Sequence, residues 1–462
     1  MTDDLRIHAG GDRVLRRSGE HVLYWMQSTL RADDNHALDF AIESANRIGL
    51  PVLVYHRLRH DYPWSSDRIH TFVLESVQDL YQDFAQRGIQ YAFHLEPDWN
   101  ETALRDARGA PSPLLDLAGR AALVVTDYFP TFLVPRETVT LRAQVETPVV
   151  AVDSATVVPV RYHEREYLTA ASFRSRLAAA LPHYLHHSRS PEPKVRRVVD
   201  LPFEPTMPVR GTIPTLVGAC DVDHTVPPVL ATPGGTRAAR LRLEGFLKHG
   251  LPRYADGRGD PNAGVTSGLS PYLHFGNISP QEVVLRAREA GPAEQFARFQ
   301  DEILTWRELA FNFTHFNRRH RTVEAIPEWA REELARGEAD DRPALYSAEE
   351  LEQARTEQPL WNAAQRAYLR DGWMPNALRM LWGKSVVQWT RNAREALATL
   401  EHLNNKYALD GRDPSSYLNF HWVFGRFDRP FYRRPIFGTV RFMSLKAAEK
   451  KFDVRRVLAR YA

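Results

Sequence analysis

Between His21 and Val152, five short apolar runs alternate with segments whose apolar residues recur at helical spacing. The runs are His21–Met26 (HVLYWM), Pro51–His56 (PVLVYH), Ile89–Leu95, Ala121–Tyr128 and Pro148–Val152. A strand with one wet face alternates apolar and polar residues. These runs are apolar almost throughout, so both faces must be covered. Between them, Asp34–Ile48 carries helical spacing and is ended by Gly49-Leu50-Pro51. Ser66–Arg87 predicts a long amphipathic helix stopped by Gly88. Strands of this kind alternating with helices predict a parallel, Rossmann-like α/β sheet with helices on both faces. No G-x-G-x-x-G stands at the first strand–helix turn, so a conventional dinucleotide site is unsupported.

The pattern breaks at His186–Pro233, which holds nine prolines and no sustained helical period. This reads as a linker wrapped over a surface. Beyond it the spacing is helical. Thr236 is a candidate N-cap and Gly250 a stop for a helix over Arg237–His249. Ser270-Pro271 and Ser279-Pro280 put Ser at the cap and Pro at the first helical position, and Ser279 with Glu282 fits a capping box. Phe296–Asn312, Trp361–Arg370 and Asn376–Asn392 also read as helices. The expected division is an α/β domain over 1–185, a linker over 186–233 and an all-α domain over 234–462. The last is long enough to bury its own core.

Hydrophobic residues make up 43% of the 462 and charged residues 25%, which excludes wholesale disorder, a collagen and a coiled-coil rod. No apolar run is long enough to span a bilayer, so no membrane partner is expected. The N-terminus lacks the apolar core of a secretory signal. Cys220 is the only cysteine, which excludes an internal disulfide and a Cys-based zinc site. A reducing, cytoplasmic setting follows. The net charge of +3 hides an asymmetry: residues 1–225 carry 29 acidic and 24 basic side chains, and 226–462 carry 28 and 36. The excess lies in 411–462, with 12 basic and 4 acidic residues. Arg429, Arg433, Arg434 and Arg441 stand there among Phe427, Phe431, Tyr432 and Phe437. Such a stretch suits a polyanion such as nucleic acid, or is a solvated charged surface.

Seven of the ten tryptophans fall in the helical half. Trp382 and Trp389, seven residues apart on one helix, share a face about 10 Å apart along the axis. Core packing accounts for any one of them. Their density admits a second role, because indoles can be oxidised and a spaced row can carry an electron between a buried cofactor and solvent. Thr266-Ser267-Gly268-Leu269-Ser270-Pro271 is a hydroxyl-rich loop opening a helix, suited to a phosphate or simply a capped start. It is not a P-loop. Glu302 and Trp306 lie at i, i+4, where a carboxyl beside an indole would receive a flat, carbonyl-bearing ligand. Alternatively Glu302 pairs with Arg298 one turn back. Asp410 stands in the loop Lys406–Pro414, and Arg379 lies on the Trp382 helix. Turn chemistry is the other reading of that Asp. His183, His186 and His187 cluster without a second ligand set, so no metal site is expected.

Five C-terminal stretches closely resemble class II cyclobutane pyrimidine dimer (CPD) photolyases of the photolyase/cryptochrome family. They are SGLSPYLHFGNIS (267–279), DEILTWRELAFNF (301–313), LWNAAQRAYLRDGWMPNALRMLWGKSVVQW (360–389), LNNKYALDGRDP (403–414) and RPIFGTVRFMS (434–444). VLYWMQSTLRADDNHAL (22–38) is similar to that class as well. The resemblance implies an α/β domain joined to a helical domain that holds FAD, active as FADH⁻. It implies phosphate-proximal contacts from Tyr254, Thr266, Ser267, Leu269 and Ser270, and an ion pair of Arg379 and Asp410 beside the isoalloxazine. Asn404 would face flavin N5. Glu302, Trp306, Met380 and Trp422 would form the dimer pocket, with the two indoles at an angle, and Trp382, Trp361 and Trp389 the photoreduction chain. Where many members have Arg-Asn, this chain has Arg258-Gly259, so any contact of the Asn side chain to the lesion is lost or supplied by water; Arg258 is an expected substrate contact. Arg429 and Arg441 are expected on DNA. The implied partner is UV-damaged DNA, double- or single-stranded, and the implied activity is light-driven dimer repair by a monomer. A cryptochrome-type photoreceptor is the alternative. An antenna chromophore of deazaflavin or folate type is left open.

Overall fold

The computed structural model describes residues 2–10, 15–96, 104–105, 109–186 and 190–462. His187 lies outside them. The chain divides into two compact units. The first comprises Met1–Glu164, Ala180–Leu243 and Leu269–Arg286, and the second Arg165–Ala179, Glu244–Gly268 and Ala287–Ala462.

The first unit is built on a six-stranded sheet. Its strands are β1 (Ile7–Ala9), β2 (His21–Met26), β3 (Val52–Arg59), β4 (Gln90–Glu96), β5 (Ala121–Asp127) and β6 (Val149–Val152), in spatial order β1-β6-β5-β2-β3-β4. All pairs are parallel except β1 with β6. Every residue of β2, β3, β5 and β6 is buried, which is why those runs show no alternation. Helices α1 (His36–Ile48), α2 (Asp67–Gln86), α3 (Pro113–Arg120) and α4 (Val134–Gln144) make the crossovers. Asn35 caps α1 by accepting from Leu38 N at 3.0 Å, and Gly49 ends it at φ +70°, a left-handed conformation that favours glycine. β1 has no counterpart in the sequence reading. Three residues are too few to show a period.

The order of winding reverses between β2 and β5, the point where open α/β sheets usually take a ligand beyond the strand ends. Here that point is occupied by the chain itself. The Asp127 carboxylate accepts from the Tyr24 hydroxyl (2.8 Å) and from the backbone N–H groups of Gln27 (2.8 Å), Ser28 (2.8 Å) and Thr29 (3.1 Å). The proline-rich stretch read as a linker falls within the first unit. It runs along the edge strand β4: Val199 exchanges two hydrogen bonds with the Gln90 side chain, and Thr206 N donates to Phe93 O at 2.8 Å. Val199, Leu201 and Phe203 pack onto the core under the sheet. Covering an exposed edge in this way blocks pairing with other chains.

The second unit is helical. Ala293–Gln300, a π-helical segment Asp301–Trp306 and Arg307–Phe316 follow one another where the spacing predicts one α-helix. Pro359–Asp371, Asn376–Trp389, Ala393–Tyr407 and Pro414–Val423 carry most of the candidate site. The helical segments that start at Thr236, Ser270 and Pro280 begin in the first unit; the one at Thr236 begins on that residue instead of after it, and passes into a π segment at Phe246–Gly250. Ser270 is likewise the first residue of its short helix, not the cap. Ser279 accepts from Glu282 N at 2.9 Å, but the Glu282 carboxylate pairs with Arg240 (3.1 Å), so only half of the capping box forms. Among the described residues no helix is long and apolar enough to cross a membrane, and no group of three His, Cys, Asp or Glu could hold a metal.

Candidate functional site

Three tryptophans form a continuous row in the second unit. Trp361, from Pro359–Asp371, lies nearly parallel to Trp382 with ring centres 6.3 Å apart and edge-on to Trp389 at 5.4 Å. Trp382 and Trp389 come from the next helix, so Trp361 sits between the two indoles that the seven-residue spacing puts on one face. All three are buried. Their close contacts are those of well-packed core aromatics. They also leave no gap in the π-system from Trp382 to Trp389. Tyr346 meets the far end, edge-on to Trp389 at 5.1 Å.

The near end of the row leads to a polar cluster. Tyr368 packs edge-on to Trp382 at 5.5 Å and donates through its hydroxyl to Asn404 Oδ1 at 3.1 Å. The Arg379 guanidinium lies over the Tyr368 ring at 5.7 Å and reaches Asp410 Oδ2 at 3.4 Å. Asn404 Nδ2 donates to Ser416 Oγ (3.1 Å), which donates to the Asp410 carbonyl (3.2 Å). Burial works against the Arg379 charge, yet Tyr368 and Asp410 outweigh it and hold its pKa above the ordinary value. Two atoms of this pair, Arg379 Nε and Asp410 Oδ1, are buried without a hydrogen-bond partner. A donor and an acceptor left open on one buried ion pair can take the polar atoms of a ligand. Tyr368 was missed by sequence reasoning. It lies seven residues after Trp361, on the same helical face, so spacing alone would have found it.

Glu302 does not pair with its helical neighbour Arg298. Its partner is Arg258, at 2.7 Å. Burial, the largest influence, raises the Glu302 pKa although Arg258 opposes the shift. One turn on, Trp306 stacks against Trp422 with centres 4.5 Å apart and planes 19° apart, and Phe427 stands edge-on to both. The expected pair of indoles at an angle is therefore a nearly parallel stack, because Phe427 and the Trp422 N–H bond to Asp428 (3.3 Å) fix both rings. Met380 is half-buried on the helix that carries Arg379. Tyr254 is buried, edge-on to Phe246 and Phe299. Thr266 is exposed and Ser267 half-buried in the second unit, while Leu269 and Ser270 belong to the first.

The basic C-terminal stretch forms a hairpin in which Phe431 N donates to Thr439 O and Arg434 N to Gly438 O. Arg429 is exposed and Tyr432 is 94% exposed. Arg441 is half-buried, over the Phe431 ring at 5.9 Å. Arg433 is committed within the chain: its Nη2 lies 3.0 and 2.8 Å from the two Glu333 oxygens.

The sequence profile of the DNA photolyase family matches residues 22–194. A deoxyribodipyrimidine photo-lyase of Methanothermobacter thermautotrophicus is 33% identical over 437 residues, which cover 94% of this chain and 93% of that one. The chain belongs to the DNA photolyase family. A deoxyribodipyrimidine photo-lyase of Arabidopsis thaliana is 31% identical, covering 98% of this chain and 93% of the relative. The fold agrees with two solved structures. A class III photolyase of Agrobacterium tumefaciens superposes with a TM-score of 0.69 at 20% identity, covering 96% of this chain and 86% of its own. A Synechocystis cryptochrome superposes with a TM-score of 0.71 at 17% identity, covering 96% and 88%. Members of the photolyase/cryptochrome family bind FAD. The unspent atoms of Arg379 and Asp410, buried beside Tyr368 and Asn404, fit such a group.

Proposed function

We propose that this photolyase is of class II and repairs cyclobutane pyrimidine dimers in DNA by light-driven electron transfer. The observation that carries the proposal is the continuity from Trp389 through Trp361 and Trp382 to Tyr368, Asn404 and the incompletely bonded Arg379–Asp410 pair. FAD bound in its reduced form supplies the photoexcited electron, while the protein supplies binding, orientation and electrostatics. Arg379, Asp410 and Asn404 would hold the ring system of the cofactor. Tyr254, Thr266, Ser267, Leu269 and Ser270 are assigned to the phosphate side. Trp382, Trp361 and Trp389 feed electrons inward when the cofactor has become oxidised.

The lesion is flipped out of the duplex, which is cheaper for a damaged step than for a sound one. Trp306, Trp422 and Met380 receive it. Trp306 and Trp422 then part, since rings stacked at 4.5 Å admit nothing between them. Glu302, whose pKa burial raises, donates a hydrogen bond in its protonated form to a dimer carbonyl as negative charge develops there. Arg258 releases Glu302 and turns to the lesion. Arg429 and Arg441 contact DNA phosphates.

The test is an absorption spectrum of the purified protein followed by illumination with an oligonucleotide carrying one dimer. A flavin spectrum and light-dependent loss of the dimer are expected. A flavin-bearing protein that leaves the dimer intact after chemical reduction would overturn repair in favour of a cryptochrome-type photoreceptor.

A further inference from the structure

The helix Pro359–Asp371 carries Trp361, Gln365 and Tyr368 at i, i+4 and i+7. The first and last flank Trp382, as described. Gln365 is fully buried among them. Its orientation is fixed by chemistry. The Trp382 indole N–H can only donate, so the atom facing it at 3.0 Å is the amide oxygen. The Glu352 carbonyl can only accept, so the atom facing it at 3.2 Å is the amide nitrogen. Trp361 repeats the arrangement by donating its indole N–H to the backbone carbonyl of Trp382 at 3.0 Å. The two inner indoles of the row therefore both end on amide oxygens.

An indole that has lost one electron carries a positive charge, and its N–H becomes acidic. An amide oxygen stabilises that charge through the hydrogen bond but is too weak a base to remove the proton. We propose that Gln365 is a positioning residue of the electron relay, holding Trp382 so that it is oxidised easily and without losing its proton. This rests on the electron-transfer reading given above. Trp382 gives up one electron to the photoexcited oxidised flavin and keeps its N–H as a radical cation. Trp361 then supplies an electron to Trp382, and Trp389 supplies one to Trp361. The positive charge reaches Trp389 with no proton moved in the core, and a thiol in solution finally returns the electron. A base at Gln365 would instead take the proton and trap the charge on Trp382 as a neutral radical.

The test is flash photolysis of the flavin-loaded full chain in its oxidised state, reading tryptophan radicals by their absorption. The unsubstituted protein should first form a protonated indole radical, with no solvent deuterium effect on that phase. Gln365→Leu should lower the radical yield ~10-fold, the loss expected for one hydrogen bond to a charged group. Gln365→Glu should restore the yield while its carboxyl is protonated, because a carboxylic acid still offers a carbonyl oxygen to Trp382 and a donor to Glu352. At higher pH the same variant should shift the signal to the deprotonated radical, a change that a purely structural Gln365 would not produce. Wild-type yield in Gln365→Leu, or a deprotonated inner indole in the unsubstituted protein, overturns the assignment. If Gln365→Leu does not fold, the isotope measurement and the pH response of Gln365→Glu decide. Trp382→Phe is the control for the relay itself and should give no radical. If it photoreduces normally, the relay reading fails and takes the Gln365 assignment with it.

Discussion

Asp127 and Asp410 are both buried carboxylates beside a tyrosine, one in each unit, and they are used differently. Asp127 sits where the sheet reverses its winding and accepts four hydrogen bonds from the chain's own groups. Nothing of it is left for a ligand. Asp410 has one long contact to Arg379, 3.4 Å, and an Oδ1 with no hydrogen-bond partner. A buried carboxylate whose lone pairs are all engaged holds the fold together. One whose lone pairs are partly open carries a cost that is recovered only when something binds. At the place that topology alone marks for a ligand the Asp127 carboxylate is therefore engaged by the chain itself, whereas the Asp410 carboxylate in the second unit keeps an open valence.

The largest effect expected from this contrast is on stability. Asp127→Ala leaves the Tyr24 hydroxyl and three backbone N–H groups without their acceptor, and should cost about 3–5 kcal/mol. Urea unfolding of the full chain measures it. A loss below about 1 kcal/mol would mean that water replaces the carboxylate and that the switch point is open after all. Asp410→Asn should do the reverse. Flavin affinity should fall about 30–100-fold, from loss of one charge-assisted bond, with little change in unfolding of the flavin-free chain. If this variant unfolds as readily as Asp127→Ala, the distinction between the two carboxylates collapses.

The same contrast explains what the sequence could and could not reveal. The strands β2, β3, β5 and β6 were legible because full burial writes itself into composition: HVLYWM and ALVV admit no wet face. Gly49 and Gly88 marked helix ends because both adopt left-handed backbone. What stayed hidden was non-local. Arg258 reaches Glu302 across 44 positions, and no helical spacing announces that pair. Local rules offered Arg298 instead. The stack of Trp306 on Trp422 depends on Phe427 and Asp428, which arrive from a turn where Phe427 itself has φ +67°. The π segments at Phe246–Gly250 and Asp301–Trp306 keep the apolar pattern of an α-helix, so spacing cannot separate them. The candidate site was named largely through family resemblance. The geometry adds Tyr368 and Gln365, which repeat on the Trp361 face and which spacing alone could have supplied.

A smaller effect is expected at Glu302, where the question is one of protonation. Burial raises its folded pKa above the ordinary 4.5, so the folded chain binds a proton that the unfolded chain has already released. Stability from this group is greatest at low pH and is lost as pH rises from 4.5 through the higher folded value. Glu302→Gln should flatten that part of the pH–stability curve and leave the rest unchanged. If the unsubstituted curve rises across the same window and Glu302→Gln removes the rise, the Arg258 pairing dominates and Glu302 is an ordinary ionised partner.

The smallest effect separates two arginines that composition treats alike. Arg429 is exposed, whereas Arg433 is tied to Glu333, which also accepts from Arg336 (2.6 Å) and from Thr439 N (3.0 Å). A guanidinium already neutralised by a carboxylate releases few counterions when DNA arrives. Arg429→Gln should therefore reduce the slope of log affinity against log salt by about one unit, the signature of one lost phosphate contact. Arg433→Gln should change the slope by much less. It should instead loosen the hairpin between Phe431 and Thr439, lowering affinity by a similar factor at every salt concentration, because the loop that presents Arg429 and Tyr432 must then be ordered on binding. Titrations of dimer-containing DNA in the dark, at several salt concentrations, distinguish a changed slope from a changed offset. Equal slope changes for the two variants would mean that Glu333 gives up Arg433 to the phosphate backbone, and that the hairpin's internal pair is broken on DNA just as the Arg258–Glu302 pair must be.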